Sequence, residues 1–192
     1  MYIMTETINF VHHIFATPFF FWENCNLDIE RLEKDCLDFM NKTPSVEFSN
    51  IGGYQGHDFK NKNLYEFIEN NLPINTTKPI KKFKIQSWLN VNKKNNYNGR
   101  HAHDPHKGTY LSGVFYVKCP KLSGSIRFYD PRPHINTAPD MKYFHDEKNY
   151  EEIYPQENMM LMFPSWLEHS VEPSKSKKER ISISFNIFDI EY

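Results

Sequence analysis

Apolar residues in the first 80 positions recur mainly at helical spacing. Residues 26–42 carry one broad apolar stripe, which predicts a helix capped by Asn26. Residues 62–71 predict a second, shorter helix, and the glycine-rich residues 50–56 predict a turn between the two. We therefore predict that this region is a helical support for the part of the domain that follows it.

Beyond residue 80 the apolar period changes to two. Residues 83–92 alternate between an apolar face and a polar face that carries Trp88, Asn90 and Asn92. Further strands are predicted at residues 8–22, 110–118, 125–129, 158–163, 170–172 and 181–187. Helices followed by strands indicate a mainly β, α+β fold of the double-stranded β-helix or jelly-roll type. We expect one domain over 1–192, with helical support in 1–80 and the jelly-roll core in 81–192.

Composition narrows the classes of partner. The 192 residues carry a net charge of −1, which argues against a nucleic-acid partner. The start of the chain has neither a signal-peptide pattern nor a membrane span, so we expect no membrane partner. Three cysteines without metal-like spacing predict a reducing, cytoplasmic location. These are Cys25, Cys36 and Cys119.

The densest group of metal-ligand residue types surrounds His101 and His103. Successive strand side chains point to opposite faces, so two histidines one residue apart point the same way, as two ligands of one metal must. Such a pair is weak evidence alone, because a chain with 9 histidines contains one by chance fairly often. His169, where a strand ends and the chain turns, is the best candidate for a third ligand.

A carboxylate clamp is predicted at the start of the last strand. Arg180 offers a planar fork of donors, and Ser182, on the same face, adds a hydroxyl. The hydroxyl of Tyr116 belongs to another strand and is a candidate for the same carboxylate. Trp88, Asn90 and Asn92 are expected to line the pocket.

The chain from Trp88 to Asn186 resembles a family of 2-oxoglutarate/iron(II)-dependent oxygenases of bacteria and phages, which are relatives of the prolyl hydroxylases. The motifs occur in the family's order and cover about half of the chain. The matching segments are Trp88-x-Asn90-x-Asn92, His101-x-His103, and residues 112–117, 123–132, 163–173 and 180–186.

The resemblance implies a dioxygenase that couples decarboxylation of 2-oxoglutarate to hydroxylation of an unactivated C–H bond. Iron(II) and 2-oxoglutarate would be its cofactors, with ascorbate as an accessory reductant. His101 and His169 would be metal ligands, and Arg180, Ser182 and Tyr116 would hold the distal carboxylate. The substrate would be a small molecule or a peptidyl or free amino acid, and the aromatic-rich segments suggest a homodimer.

The chain departs from the wider superfamily at the second ligand, where a carboxylate is usual. Here that position is His103, and Asp104 follows it. Three interpretations of the metal site are possible: a three-histidine site, replacement of His103 by Asp104 as the ligand, or a degraded site. The strand period favours three histidines. Two other functions also compete: a cupin-like three-histidine dioxygenase or isomerase without 2-oxoglutarate, and a non-catalytic jelly-roll binding module.

Overall fold

The computed structural model describes residues 16–72, 80–103, 108–132 and 149–191. Within these residues, eleven strands form two antiparallel sheets, and two helices precede the main run of strands. No helix among the described residues is long and apolar enough to cross a membrane. The mainly β architecture that the alternating pattern predicts is confirmed.

Both predicted helices are present. Helix α1 spans Ile29–Met40 and helix α2 spans Lys62–Asn70. The first is capped by Asp28, whose side chain accepts a hydrogen bond from the Arg31 amide, so the prediction of Asn26 as the cap is wrong. Asn26 instead has a φ of 55°, a left-handed conformation that asparagine tolerates.

The larger sheet contains six strands: β1 (Phe20–Trp22), β3 (Tyr54–His57), β4 (Lys82–Asn92), β6 (Thr109–Lys118), β9 (Met160–Pro164) and β11 (Arg180–Glu191). Their order in the sheet is β1-β9-β6-β11-β4-β3. The long central strands carry the candidate carboxylate-binding residues. One face packs under the helices, with Leu32 and Cys36 of α1 buried against strand residues such as Ile183.

The smaller sheet contains five strands: β2 (Asn50–Ile51), β5 (Tyr97–His101), β7 (Ile126–Tyr129), β8 (Tyr150–Ile153) and β10 (His169–Val171). Their order in the sheet is β2-β5-β10-β7-β8. A second apolar cluster, including Phe128, Leu161 and Phe163, fills the space between the two sheets. Two facing antiparallel sheets of this kind form a double-stranded β-helix, as expected.

The first 80 residues supply strands as well as helices. The predicted turn at 50–56 contains two short strands, and Gly52, at a φ of 76°, lies in the turn that leads from β2 in the smaller sheet to β3 in the larger one. Strand β1 pairs with β9, and β3 pairs with β4. Helical support is therefore only part of what this region contributes. Both edges of the last strand, β11, are paired within the chain, with β4 and with β6.

Close packing at Gly113 gives a test of the sheet register. A Cβ at this position would lie 2.7 Å from the Leu161 carbonyl oxygen and would overlap the Phe185 ring. We expect Gly113→Ala to lower the free energy of unfolding by about 1–3 kcal/mol, as overpacking usually does. Gly99→Ala is the matched control, because its nearest heavy atom would be 3.7 Å away. Urea unfolding measures both, and equal stability of the two variants would contradict the register.

Candidate metal and carboxylate-binding site

Two of the predicted ligands lie opposite each other in the smaller sheet. His169 of β10 is the cross-strand partner of His101 of β5. The Nδ1 atom of His101 lies 2.8 Å from the Gly99 carbonyl oxygen, and that of His169 lies 2.9 Å from the Leu167 carbonyl oxygen. Because a carbonyl can only accept, each Nδ1 carries the proton and each Nε2 keeps its lone pair for a metal.

His103 reaches the same place by a different route. Strand β5 ends at His101, so strand alternation does not by itself orient His103. Its backbone N–H donates to the Ser165 carbonyl oxygen at 2.8 Å. The ring stacks on Trp88 with centroids 5.5 Å apart, and the Asn186 side chain lies within hydrogen-bonding reach of it. The predicted alignment of the pair is therefore produced by long-range contacts.

The three imidazoles form one cluster whose ligand atoms all lie within 4.8 Å of one another. Burial lowers the pKa of each ring, that of His103 to about 4 and that of His169 well below its usual value. The rings are therefore neutral near pH 7, which is the form that binds metals. In the part of the chain that the structure describes, no carboxylate joins this cluster. Its donor set fits a divalent transition metal such as iron(II).

The predicted carboxylate clamp lies on the central strands of the larger sheet. Ser182 is the cross-strand partner of Tyr116 on one side and of Asn90 on the other. Arg180 is 2% exposed and Tyr116 is 1% exposed. Burial lowers the Arg180 pKa, although the neighbouring Tyr116 and Cys119 oppose that shift.

Several donors of this clamp lack a partner. Among the described residues, the buried Arg180 Nε and Nη1 and the Tyr116 hydroxyl have no hydrogen-bond partner. The Arg180 Nη2 donates to the Asn92 side chain at 3.4 Å, which is a long hydrogen bond. A buried cation with unpaired donors is costly, so the arrangement fits an anion that brings its own acceptors.

The clamp and the histidines line one cavity. Trp88 lines it, as predicted, and so does Ser184, which the sequence analysis missed. Asn90 and Asn92 are not among its lining residues. They support that wall instead, because Asn90 donates to the Ser184 hydroxyl and Asn92 accepts from Arg180.

Two residues near the site were not singled out from the sequence. His57, opposite Trp88 across β3 and β4, stacks on it with ring centroids 6.3 Å apart. Asn186 reaches His103 from β11. Neither has a signal in its local sequence, because both act through strand pairing. Asp104, the alternative to His103, lies outside the described residues.

Comparison with known proteins adds independent information. A family model described as "Putative 2OG-Fe(II) oxygenase", where 2OG is 2-oxoglutarate, matches residues 86–186. No curated protein sequence matches this chain.

Solved structures resemble the chain at low sequence identity. A Pseudomonas putida prolyl-4-hydroxylase is 13% identical with a TM-score of 0.60, over 91% of this chain and 94% of that one. A Trichoplax adhaerens prolyl hydroxylase in complex with a hypoxia-inducible-factor peptide is 14% identical with a TM-score of 0.63, over 89% and 83%. HygX from Streptomyces hygroscopicus, with nickel, 2-oxoglutarate and hygromycin B bound, is 9% identical with a TM-score of 0.63, over 90% and 83%. At these identities the likeness establishes the fold.

The lowered histidine pKa values predict how the metal-free protein responds to acid. An unfolded histidine has a pKa near 6.5, so between about pH 6.5 and pH 4 the unfolded chain binds more protons than the folded one. The free energy of unfolding should therefore fall as the pH drops through this window. His103→Gln should weaken that pH dependence by up to about one proton. Urea unfolding in the presence of a chelator measures it, and an unchanged slope would contradict burial of a neutral His103.

Proposed function

The chain belongs to the 2OG-Fe(II) oxygenase family, and from this premise we propose that His101, His103 and His169 hold its iron(II). We further propose that Arg180, Tyr116 and Ser182 hold a carboxylate of 2-oxoglutarate. The observation that carries the proposal is that a neutral three-imidazole cluster lines one cavity together with a buried guanidinium, whose Nε and Nη1 have no partner among the described residues.

The protein is an enzyme, a 2-oxoglutarate/iron(II)-dependent dioxygenase. Bound iron(II) and 2-oxoglutarate supply the reduction of O2 that places one oxygen atom on a substrate C–H bond and the other in succinate, with release of CO2. The protein's own residues bind and orient these reactants and limit the access of water to them.

The histidines contribute three neutral ring nitrogens. Gly99 and Leu167 fix the tautomers of His101 and His169 through their carbonyl oxygens, so the Nε2 lone pairs are available without loss of a proton. Aromatic side chains restrict the His169 ring further, with the Phe163 centroid 4.8 Å away. A rigid ligand set of this kind loses little conformational entropy on binding a metal.

The clamp contributes charge and shape. Arg180 can donate two parallel hydrogen bonds to one carboxylate, and Tyr116 and Ser182 can each donate one more. Tyr116 remains protonated, since burial raises its pKa above the usual value. Arg180, Tyr116 and Ser182 therefore all offer hydrogen-bond donors to an anion. Among the described residues, no carboxylate competes with that anion for Arg180.

For the substrate we propose hydroxylation of an unactivated C–H bond in a small molecule or in a peptidyl or free amino acid. Support comes from structural neighbours that were solved with a peptide and with hygromycin B. On this side of the cavity Trp88 and His57 offer stacked rings next to His103, which suit a substrate with an apolar face.

Substitution of the clamp should separate binding of 2-oxoglutarate from binding of metal. We expect Arg180→Gln to weaken binding of 2-oxoglutarate to the Mn(II)-loaded protein by roughly 100-fold or more, because charge-assisted hydrogen bonds are lost. Tyr116→Phe should weaken it about 10-fold. Mn(II) affinity should not change in either variant. Calorimetry measures both affinities, and succinate released under O2, with iron(II) and ascorbate present, measures turnover.

Arg31→Gln is the matched control, because Arg31 is an exposed residue of α1 that pairs with Asp35. Arg180→Gln should also keep or raise the thermal stability of the ligand-free protein, since it removes an uncompensated buried charge. Equal 2-oxoglutarate affinity in the wild type and Arg180→Gln would overturn the clamp. An iron-loaded wild type that never releases succinate would overturn the whole proposal.

A further inference from the structure

The three proposed ligands are not anchored in the same way. His101 and His169 each use a carbonyl oxygen two residues earlier in their own chain segment. His103 lies beyond the end of β5, and its ring contacts come from the opposite sheet. A ring on an irregular segment has more conformational freedom than one on a strand, so its position depends on those contacts.

One contact comes from Asn186 on β11. The Asn186 side chain lies within hydrogen-bonding reach of the His103 ring. It is on the same face of β11 as Ser184, the cross-strand partner of the Trp88 that stacks on His103. Its Oδ1 accepts from the Ser112 hydroxyl at 2.9 Å. Ser112 is 1% exposed and is the cross-strand partner of Asn186 on β6. The amide is therefore itself held in place by the larger sheet.

Another contact comes from Trp88. Its ring lies nearly parallel to that of His103, at 27° and with centroids 5.5 Å apart. Trp88 therefore restrains the face of the imidazole, whereas Asn186 restrains its edge. The ring centroids of His101 and His169 each lie 5.3 Å from that of His103, and one ring nitrogen of each of the three lies within 4.8 Å of the others.

We propose that Asn186 is a positioning residue for the third metal ligand: its Oδ1 accepts the ring N–H of His103, selects the tautomer, and points the remaining nitrogen at the metal. The inference rests on the proposed function. It assigns to a β11 amide the role that backbone carbonyls have for the other two histidines. An uncharged acceptor suits this position, because it orients the imidazole without adding a negative charge to a neutral ligand set.

Cobalt(II) is a suitable probe, because its visible absorption reports the number and arrangement of its ligands. We expect Asn186→Leu to weaken Co(II) binding about 10- to 100-fold, as loss of a partner to a ligand usually does. The spectrum at saturation should also change, because His103 is no longer held. Asn186→Asp should restore the affinity and three-nitrogen spectrum, since a carboxylate accepts the same N–H. Ser112→Ala should have a smaller effect in the same direction.

Asn70→Leu provides the same substitution at an exposed position of α2 and should bind Co(II) like the wild type. Wild-type affinity and spectrum in Asn186→Leu would overturn the inference. Equal losses of Co(II) affinity in Asn186→Leu and Asn186→Asp would also overturn it. Only aspartate can accept the His103 ring N–H, so equal losses would indicate a purely structural role. Failure of the wild type to bind Co(II) would instead overturn the proposed function.

Discussion

The constraint on which the rest of the site depends is a guanidinium buried between two sheets, with no carboxylate partner among the residues that the structure describes. Arg180 is 2% exposed, and only Tyr116 and Cys119 oppose the effect of burial on its pKa. Burial of such a cation lowers the stability of the folded protein by about several kcal/mol unless an anion pairs with it. The rest of the cavity is consistent with a dianion, since a metal at the histidines and Arg180 provide one positive centre for each carboxylate of 2-oxoglutarate.

The fold places these two centres on different sheets. The smaller sheet places His101 and His169 opposite each other, and the larger sheet places Arg180 and Ser182 on its central strand. His103 connects them, because it follows a strand of the smaller sheet but is held by Trp88 and Asn186 of the larger one. The position of the proposed third ligand is therefore sensitive to how the two sheets pack against each other.

Strand periodicity predicted much of this arrangement. The alternation in residues 83–92 identified the face with Trp88, and the resemblance pointed to His169, Arg180 and Tyr116 in one site. Prediction failed where local sequence does not control the outcome. His103 lies past the strand end, Asn90 and Asn92 support the cavity wall rather than line it, and Asn186 acts across a strand pairing. Helix capping also depended on backbone conformation, so Asp28 caps α1 rather than Asn26.

The most direct test of the central claim is a crystal structure of the protein with Mn(II) and 2-oxoglutarate, with the metal located by its anomalous scattering. We expect one metal bonded to a ring nitrogen from each of His101, His103 and His169, and a carboxylate hydrogen-bonded to Arg180 and Tyr116. A metal bonded to Asp104 in place of His103, or anomalous density away from the histidines, would contradict it.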